Sequence, residues 1–143
     1  MNNRLWLGIR GLLPLILFFS CASLKTEKAP KNDFPIIFGN GGGITGKLME
    51  YTLNGNGEIF QKTGLKGQTK KVKTLTPVET AEIFNKFRQI SFDKIQFKHP
   101  GNLYYFLRSG SGGTFHEVIW GDNKYTCPDA VSEFYMLIIG KLK

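Results

Sequence analysis

Residues 47–57 constrain this chain more than any other stretch. Residues 47–53 alternate, with Leu48, Glu50 and Thr52 on one side and Met49, Tyr51 and Leu53 on the other. A period of two is the signature of a strand, and the more apolar set is expected to face inward. Asn54-Gly55-Asn56-Gly57 follows at once, and Asn and Gly tolerate the positive φ of a tight hairpin. Residues 58–62 then pair back. The chain is thereby committed early to an antiparallel sheet.

Residues 34–38 form a short apolar strand that ends in glycine, and residues 39–46 read as a glycine-rich turn. Residues 69–75 read as a further short strand. Thr76-Pro77-Val78-Glu79 is a capping box with proline at the first helical position. The helix it opens is expected to reach about Ile90, with Ala81, Phe84, Phe87 and Arg88 sharing a face flanked by Ile83 and Ile90. Residues 91–101 are irregular. Residues 103–109 and 114–120 read as strands joined by Gly110-Ser111-Gly112-Gly113. Pro128 opens a last helix, in which Val131, Phe134, Tyr135, Ile138 and Leu142 fall on one stripe. The expected fold is α+β: one antiparallel sheet of four to six strands with two helices on one face, in the order β-β-β(-β)-α-β-β-α.

The first thirty-three residues stand apart from that domain. Arg4 and Arg10 precede an apolar run over residues 12–19, and Ser20 precedes Cys21. Charge, short apolar core and small residue is the order of a secretory signal. The run is short of the roughly 20 apolar residues that a membrane span needs. A cysteine directly after the small residue resembles the lipobox of bacterial lipoproteins. That resemblance implies cleavage before Cys21, a diacylglyceryl group on its thiol and an acyl chain such as palmitate on its new amine. Phe18 stands where leucine is commoner. Two or three chains anchor durably where one holds only marginally. Residues 1–20 are thus expected to be a signal peptide, residues 21–33 a lipidated cysteine and a polar, lysine-rich tether, and residues 34–143 one globular domain. Ala22 stands where an aspartate retains some lipoproteins at the inner membrane, which by resemblance to that sorting rule favours the outer membrane.

The formal charge of +8 falls by two, to +6, when Arg4 and Arg10 leave. A basic exported domain suits anionic lipid, polysaccharide or an acidic protein, and nucleic acid is not an expected partner. The densest basic stretch, Lys62, Lys66, Lys70, Lys71 and Lys73, reads as a loop and an edge strand, where lysine discourages aggregation. With Cys21 lipidated, Cys127 has no partner in the chain. It sits before a helix start, where a thiol can acidify, although a lone cysteine is more often a small buried filler.

Residues 41–47 spell GxxxxGK, the opening of a phosphate-binding loop. Leu48 then stands where serine or threonine must hold magnesium, and a strand follows where a helix must begin. No nucleotide and no other cofactor is expected. The stretch Gly41, Gly42, Gly43, Ile44 and Thr45 instead reads as an exposed loop able to contact a partner. His116-Glu117 lacks the second histidine of a zinc protease, and His99 is the only other histidine, so no metal is expected. No GxSxG nucleophile elbow occurs. Tyr104 and Phe106 alternate with Tyr105 and Leu107, so one pair faces the core and the other is open to a stacking ligand.

The runs GGGITGKLMEYTLNGNGEIF, PGNLYYFLR and HEVIWGD resemble uncharacterised lipoproteins of the Bacteroidota. In layout the chain also resembles emfourin, an inhibitor of thermolysin-like metalloproteases: a strand, a glycine turn, a strand, a helix, two strands, a glycine-acid step and a final helix. Ile44 replaces an aromatic residue usual there, the lysine-rich insertion at residues 62–73 is longer, and a lipid anchor is added; the match is in layout rather than in a contact motif, so no inhibitory residue transfers. These resemblances and the missing catalytic set imply a lipid-anchored, non-enzymatic binding module whose partner is an exported protein, a protease or an envelope component. The alternatives are a structural envelope lipoprotein and a small hydrolase using His116 or Cys127.

Overall fold

The computed structural model describes residues 34–44 and 46–143. The expected signal peptide, lipidated Cys21 and tether lie outside them. The elements run β1 (Ile36–Gly42), β2 (Met49–Leu53), β3 (Glu58–Thr63), β4 (Thr69–Thr74), α1 (Pro77–Gln89), a 3-10 turn (Phe92–Lys94), β5 (Lys98–His99), β6 (Leu103–Ser111), β7 (Thr114–Trp120) and α2 (Asp129–Gly140). The class is α+β, as expected. The sheet differs in detail: it has seven strands rather than four to six, in the order β4-β3-β2-β1-β6-β7-β5. It is also mixed, because β5 lies parallel to β7. Two residues of β5 dock where Ile119 donates its N–H to the Phe97 carbonyl and Asp122 to the His99 carbonyl. Lys-His carries no alternating pattern, so the sequence offers no period to read.

β1 is the central strand, antiparallel to β2 on one side and β6 on the other. It runs through Gly39, Gly41 and Gly42, where a turn was expected. Aromatic rings of the neighbouring strand explain how glycine is held in a strand here. A Cβ on Gly39 would lie 2.9 Å from Cζ of Phe106, and one on Gly41 would lie 2.5 Å from the Tyr104 hydroxyl. The rings occupy the space that side chains would take.

The two faces of the sheet are unlike. Ile36 and Phe38 on β1, Leu53 on β2, Ile59 on β3, Leu107 on β6 and Val118 on β7 pack under both helices in one core. α1 contributes Ile83, Phe84 and Phe87, and α2 contributes Val131, Phe134, Tyr135 and Ile138. Phe87 and Phe134 join the helices, with ring centroids 5.2 Å apart. The buried stripe of α1 includes Thr80 and leaves Arg88 outside. The capping box forms as the sequence requires: Glu79 N–H donates to Thr76 Oγ1, and Thr76 N–H donates to the Glu79 carboxylate. On the other face Arg108 bridges Glu50, at 3.2 Å, and Glu117. Its guanidinium carbon lies 4.4 Å over the centre of the Phe106 ring. β4 is exposed over almost its whole length, the solvated lysine edge expected from its composition.

Candidate functional site

Two regions at opposite ends of β1 have the form of sites. The first is a set of loops beyond Gly42. Gly43 N–H donates to the Asn102 carbonyl at 2.7 Å, and Gly46 N–H donates to the Gly43 carbonyl at 3.1 Å. Gly43 and Gly46 adopt φ of +71° and +58°, which glycine takes without strain. The expected contact residues therefore divide. Gly41 and Gly42 belong to β1, Gly43 and Ile44 form the turn beyond it, and Thr45 lies outside the described residues. Ile44 is fully exposed at 105%. The neighbouring β3–β4 loop is tied to this one, since Gly64 N–H donates to the Leu48 carbonyl at 2.7 Å. That loop presents Leu65, 82% exposed. Lys47 and Lys66 beside them are also exposed. The sequence does not mark this leucine, because Leu65 sits in a polar stretch without a periodic neighbour.

The second region is a cleft of roughly 360 Å³ at the other end of the sheet. The end of α1, the 3-10 turn, the β6–β7 hairpin and Phe34 line it, and it is open to solvent. Its wall is a chain of rings: Phe34 to Phe87 at 6.1 Å, Phe87 to Phe92 at 5.0 Å, and Phe92 to His116 at 5.0 Å edge-on. Arg88, Ser91, Asp93, Ser109 and Ser111 supply its polar groups beside His116. Ser91 is the only non-glycine residue with positive φ among the described residues, at φ 48° and ψ 50°. The left-handed conformation costs a residue with a Cβ about 1–2 kcal/mol. Outliers of this kind cluster at functional sites. The sequence does not announce this cleft, because residues 91–101 are irregular and its walls come from four separate segments.

His116 is oriented by a backbone oxygen: its Nε2 lies 2.9 Å from the Ile95 carbonyl. A carbonyl only accepts, so Nε2 is the donor, and the neutral ring offers Nδ1 as an acceptor. Among the described residues no hydroxyl or carboxylate hydrogen-bonds to His116, so no Ser-His-Asp relay is assembled. The thiol of Cys127, half-buried ahead of α2, is pushed up to about 11 by burial and then by the Asp129 carboxylate. The acidified thiol that a helix start can produce is not what forms here. His99 is spent on a stack with Tyr125, with centroids 3.7 Å apart. Among the described residues no three of His, Cys, Asp and Glu come together as a metal-binding group, and no helix is long and apolar enough to cross a membrane.

No known family model matches the chain, and no curated protein matches it.

Proposed function

We propose that this chain is a lipid-anchored, non-enzymatic binding module that engages an exported protein through the loops beyond β1. One observation carries the reading: Ile44 stands fully exposed at the tip of a glycine turn. An apolar side chain offered to water on a short hydrogen-bonded turn gains by burial against a partner, at about 25 cal/mol per Å². Leu65 adds a second such group from the adjoining loop, and Lys47 and Lys66 favour an acidic rim on that partner. The placement is consistent with a tether. The anchor segment joins the domain at Phe34, and β1 carries the contact loops about 20 Å away, at 3.3 Å per residue. Cys21 holds the lipid, and the cell envelope, at the outer membrane, is the location.

The emfourin-like layout makes a thermolysin-like protease the first partner to try. The domain at micromolar concentration is expected to slow such a protease, and Ile44→Asp is expected to relieve the effect. Unchanged protease activity removes the inhibitor version. Crosslinking and affinity capture from native membranes then tests the general version: one stoichiometric exported protein, lost with Ile44→Asp, is expected. Capture of a multi-component envelope assembly that is indifferent to Ile44 favours the structural reading instead. Growth with labelled palmitate checks the anchor, since label must disappear in Cys21→Ser.

A further inference from the structure

We propose that the face of the sheet opposite the helices is the interface with a second copy of this chain. The two sheets pack face to face about a two-fold axis that lies along β1. This goes beyond the loop contact and uses none of its residues.

Both helices cover one face, and strand register gives the composition of the other. Ile37 stands level with Thr52 and Phe60 on one side, and with Arg108 and Glu117 on the other. Two residues along, Gly39 stands level with Glu50 and Lys62, and with Phe106 and Ile119. Residues directly opposite one another share a face. The solvated face of an antiparallel sheet is normally polar. This one carries Ile37, Phe60, Tyr104, Phe106 and Ile119, and among the described residues none of them packs into the core under the helices. Phe106 is fully buried under the Arg108 guanidinium and beside Gly39. The other four are half-exposed.

The charges on this face point to what covers it. Arg108 on β6 and Glu50 on β2 lie one strand from β1, on opposite flanks. Glu117 on β7 and Lys62 on β3 lie two strands away, again on opposite flanks. At equal distance from β1 the signs are therefore opposite. A two-fold axis along β1 lays each flank over the other flank of the second copy, so the face is complementary to itself. Arg108 then comes over the Glu50 flank and Glu117 over the Lys62 flank, each twice. The offset of two residues along the strands is one that Arg108 already spans in its own sheet, at 3.2 Å to Glu50. Lys62 is half-buried and forms no ion pair among the described residues. Glu117 of the second copy would supply its counter-ion. Lys71 and Lys98 fall at the rim, each held by its own glutamate at 3.1 and 3.9 Å. An unrelated partner would have to carry this order of charges, and a second copy carries it by necessity.

The size sets the expected strength. Five strands about 4.8 Å apart and the five residues of β2 give a face of roughly 24 by 17 Å. Roughly 400 Å² of flat area per copy is small for a specific interface, so the pair should be reversible. The axis keeps both β1 strands in one direction. Both Phe34 ends then emerge on one side, and both Ile44 tips on the other.

The test uses residues 22–143, which include every strand, helix and core residue described, in analytical ultracentrifugation from about 1 to 500 µM. A monomer–dimer equilibrium with a Kd of about 10–100 µM is expected for a face of this size. Lys62→Glu breaks no ion pair among the described residues and sets a glutamate against Glu117 of the second copy. It is expected to weaken dimerisation at least tenfold, with thermal unfolding unchanged at a concentration where both proteins are monomeric. Crosslinking in a Cys127→Ala background checks the axis. Ile37→Cys lies on it, with its two copies about 10 Å apart across the facing sheets, and a short bismaleimide is expected to join them. Thr69→Cys lies on β4, three strands away, so its two copies stand roughly 30 Å apart and are expected to stay separate. A chain that is monomeric throughout, a dimer indifferent to Lys62→Glu, or crosslinking at Thr69→Cys in preference to Ile37→Cys would each overturn the proposal.

Discussion

Tyr135 donates its phenolic hydrogen to the carbonyl oxygen of Gly39 at 3.0 Å, joining the last helix to the central strand across 96 residues of sequence. The ring meets Tyr105 at 5.6 Å and Trp120 at 5.1 Å, both edge-on. Tyr135→Phe keeps these contacts and removes only the bond. It is expected to lower unfolding free energy by about 1–2 kcal/mol, with an unchanged denaturant slope in a urea titration. A neutral result would mean that the bond does not fasten α2.

Gly39→Ala separates close approach from backbone freedom. Its Cβ would lie 2.0 Å from the Met49 carbonyl oxygen and would press on Phe106. A loss of about 3 kcal/mol is expected. A Cβ on Gly43 would meet nothing within 4 Å, yet φ is +71°. There alanine is expected to cost about 1 kcal/mol. Thermal unfolding of both variants should place Gly39→Ala well below Gly43→Ala, and the reverse order would contradict the packing described.

Ser91→Gly runs in the opposite direction. Glycine relieves the left-handed strain of about 1 kcal/mol and returns part of it as unfolded-chain entropy. A small rise in melting temperature is expected, and a fall would show that the Ser91 side chain stabilises the turn.

Cys127 sets an alkaline limit. Its folded-state pKa is raised, so the neutral thiol's contribution is full below the unfolded value near 9 and is lost as pH rises through about 11. Burial shifts Tyr135 upward too, with Tyr105 and Tyr51 adding to it, so its loss begins above the ordinary tyrosine range near 10. Stability should therefore decline from about pH 9 upward, and Cys127→Ala should flatten the part nearest pH 9. Parallel curves for the two proteins between pH 9 and 10 would rule out this account.

Ile44→Asp and Leu65→Asp touch only loop tips. Each is expected to weaken partner capture at least tenfold, which is about 1.4 kcal/mol, with unfolding unchanged within about 0.5 kcal/mol. Capture that survives both substitutions would move the contact surface elsewhere.

Local rules were enough wherever one segment carried its own signal. Tyr51 and Leu53 face the core as their alternation requires, Met49 stands half-buried outside it, and the Thr76–Glu79 box forms in full. The pattern failed where a distant neighbour decided the outcome. Gly39, Gly41 and Gly42 read as a turn because glycine alone disfavours a strand. Phe106 and Tyr104, some sixty residues later, supply the cover that holds them extended. β5 depends on backbone groups of β7 and leaves no period in two residues. Of the candidate contact loop, Gly43 and Ile44 were legible from the glycine run. Leu65 and the cleft were not, because tertiary folding alone brings those segments together.

β1 has one more consequence. It is hydrogen-bonded to β2 over residues 36–40 and to β6 over its whole length, and its two ends lead to Phe34, where the proposed anchor would join, and to the glycine turn. A pull between membrane and bound partner would run along this strand, perpendicular to its inter-strand bonds. The bonds on both sides would then share the load together instead of opening one after another. The central strand would act as a tie-bar, and the domain would resist tension along the line on which a tethered binder is stretched.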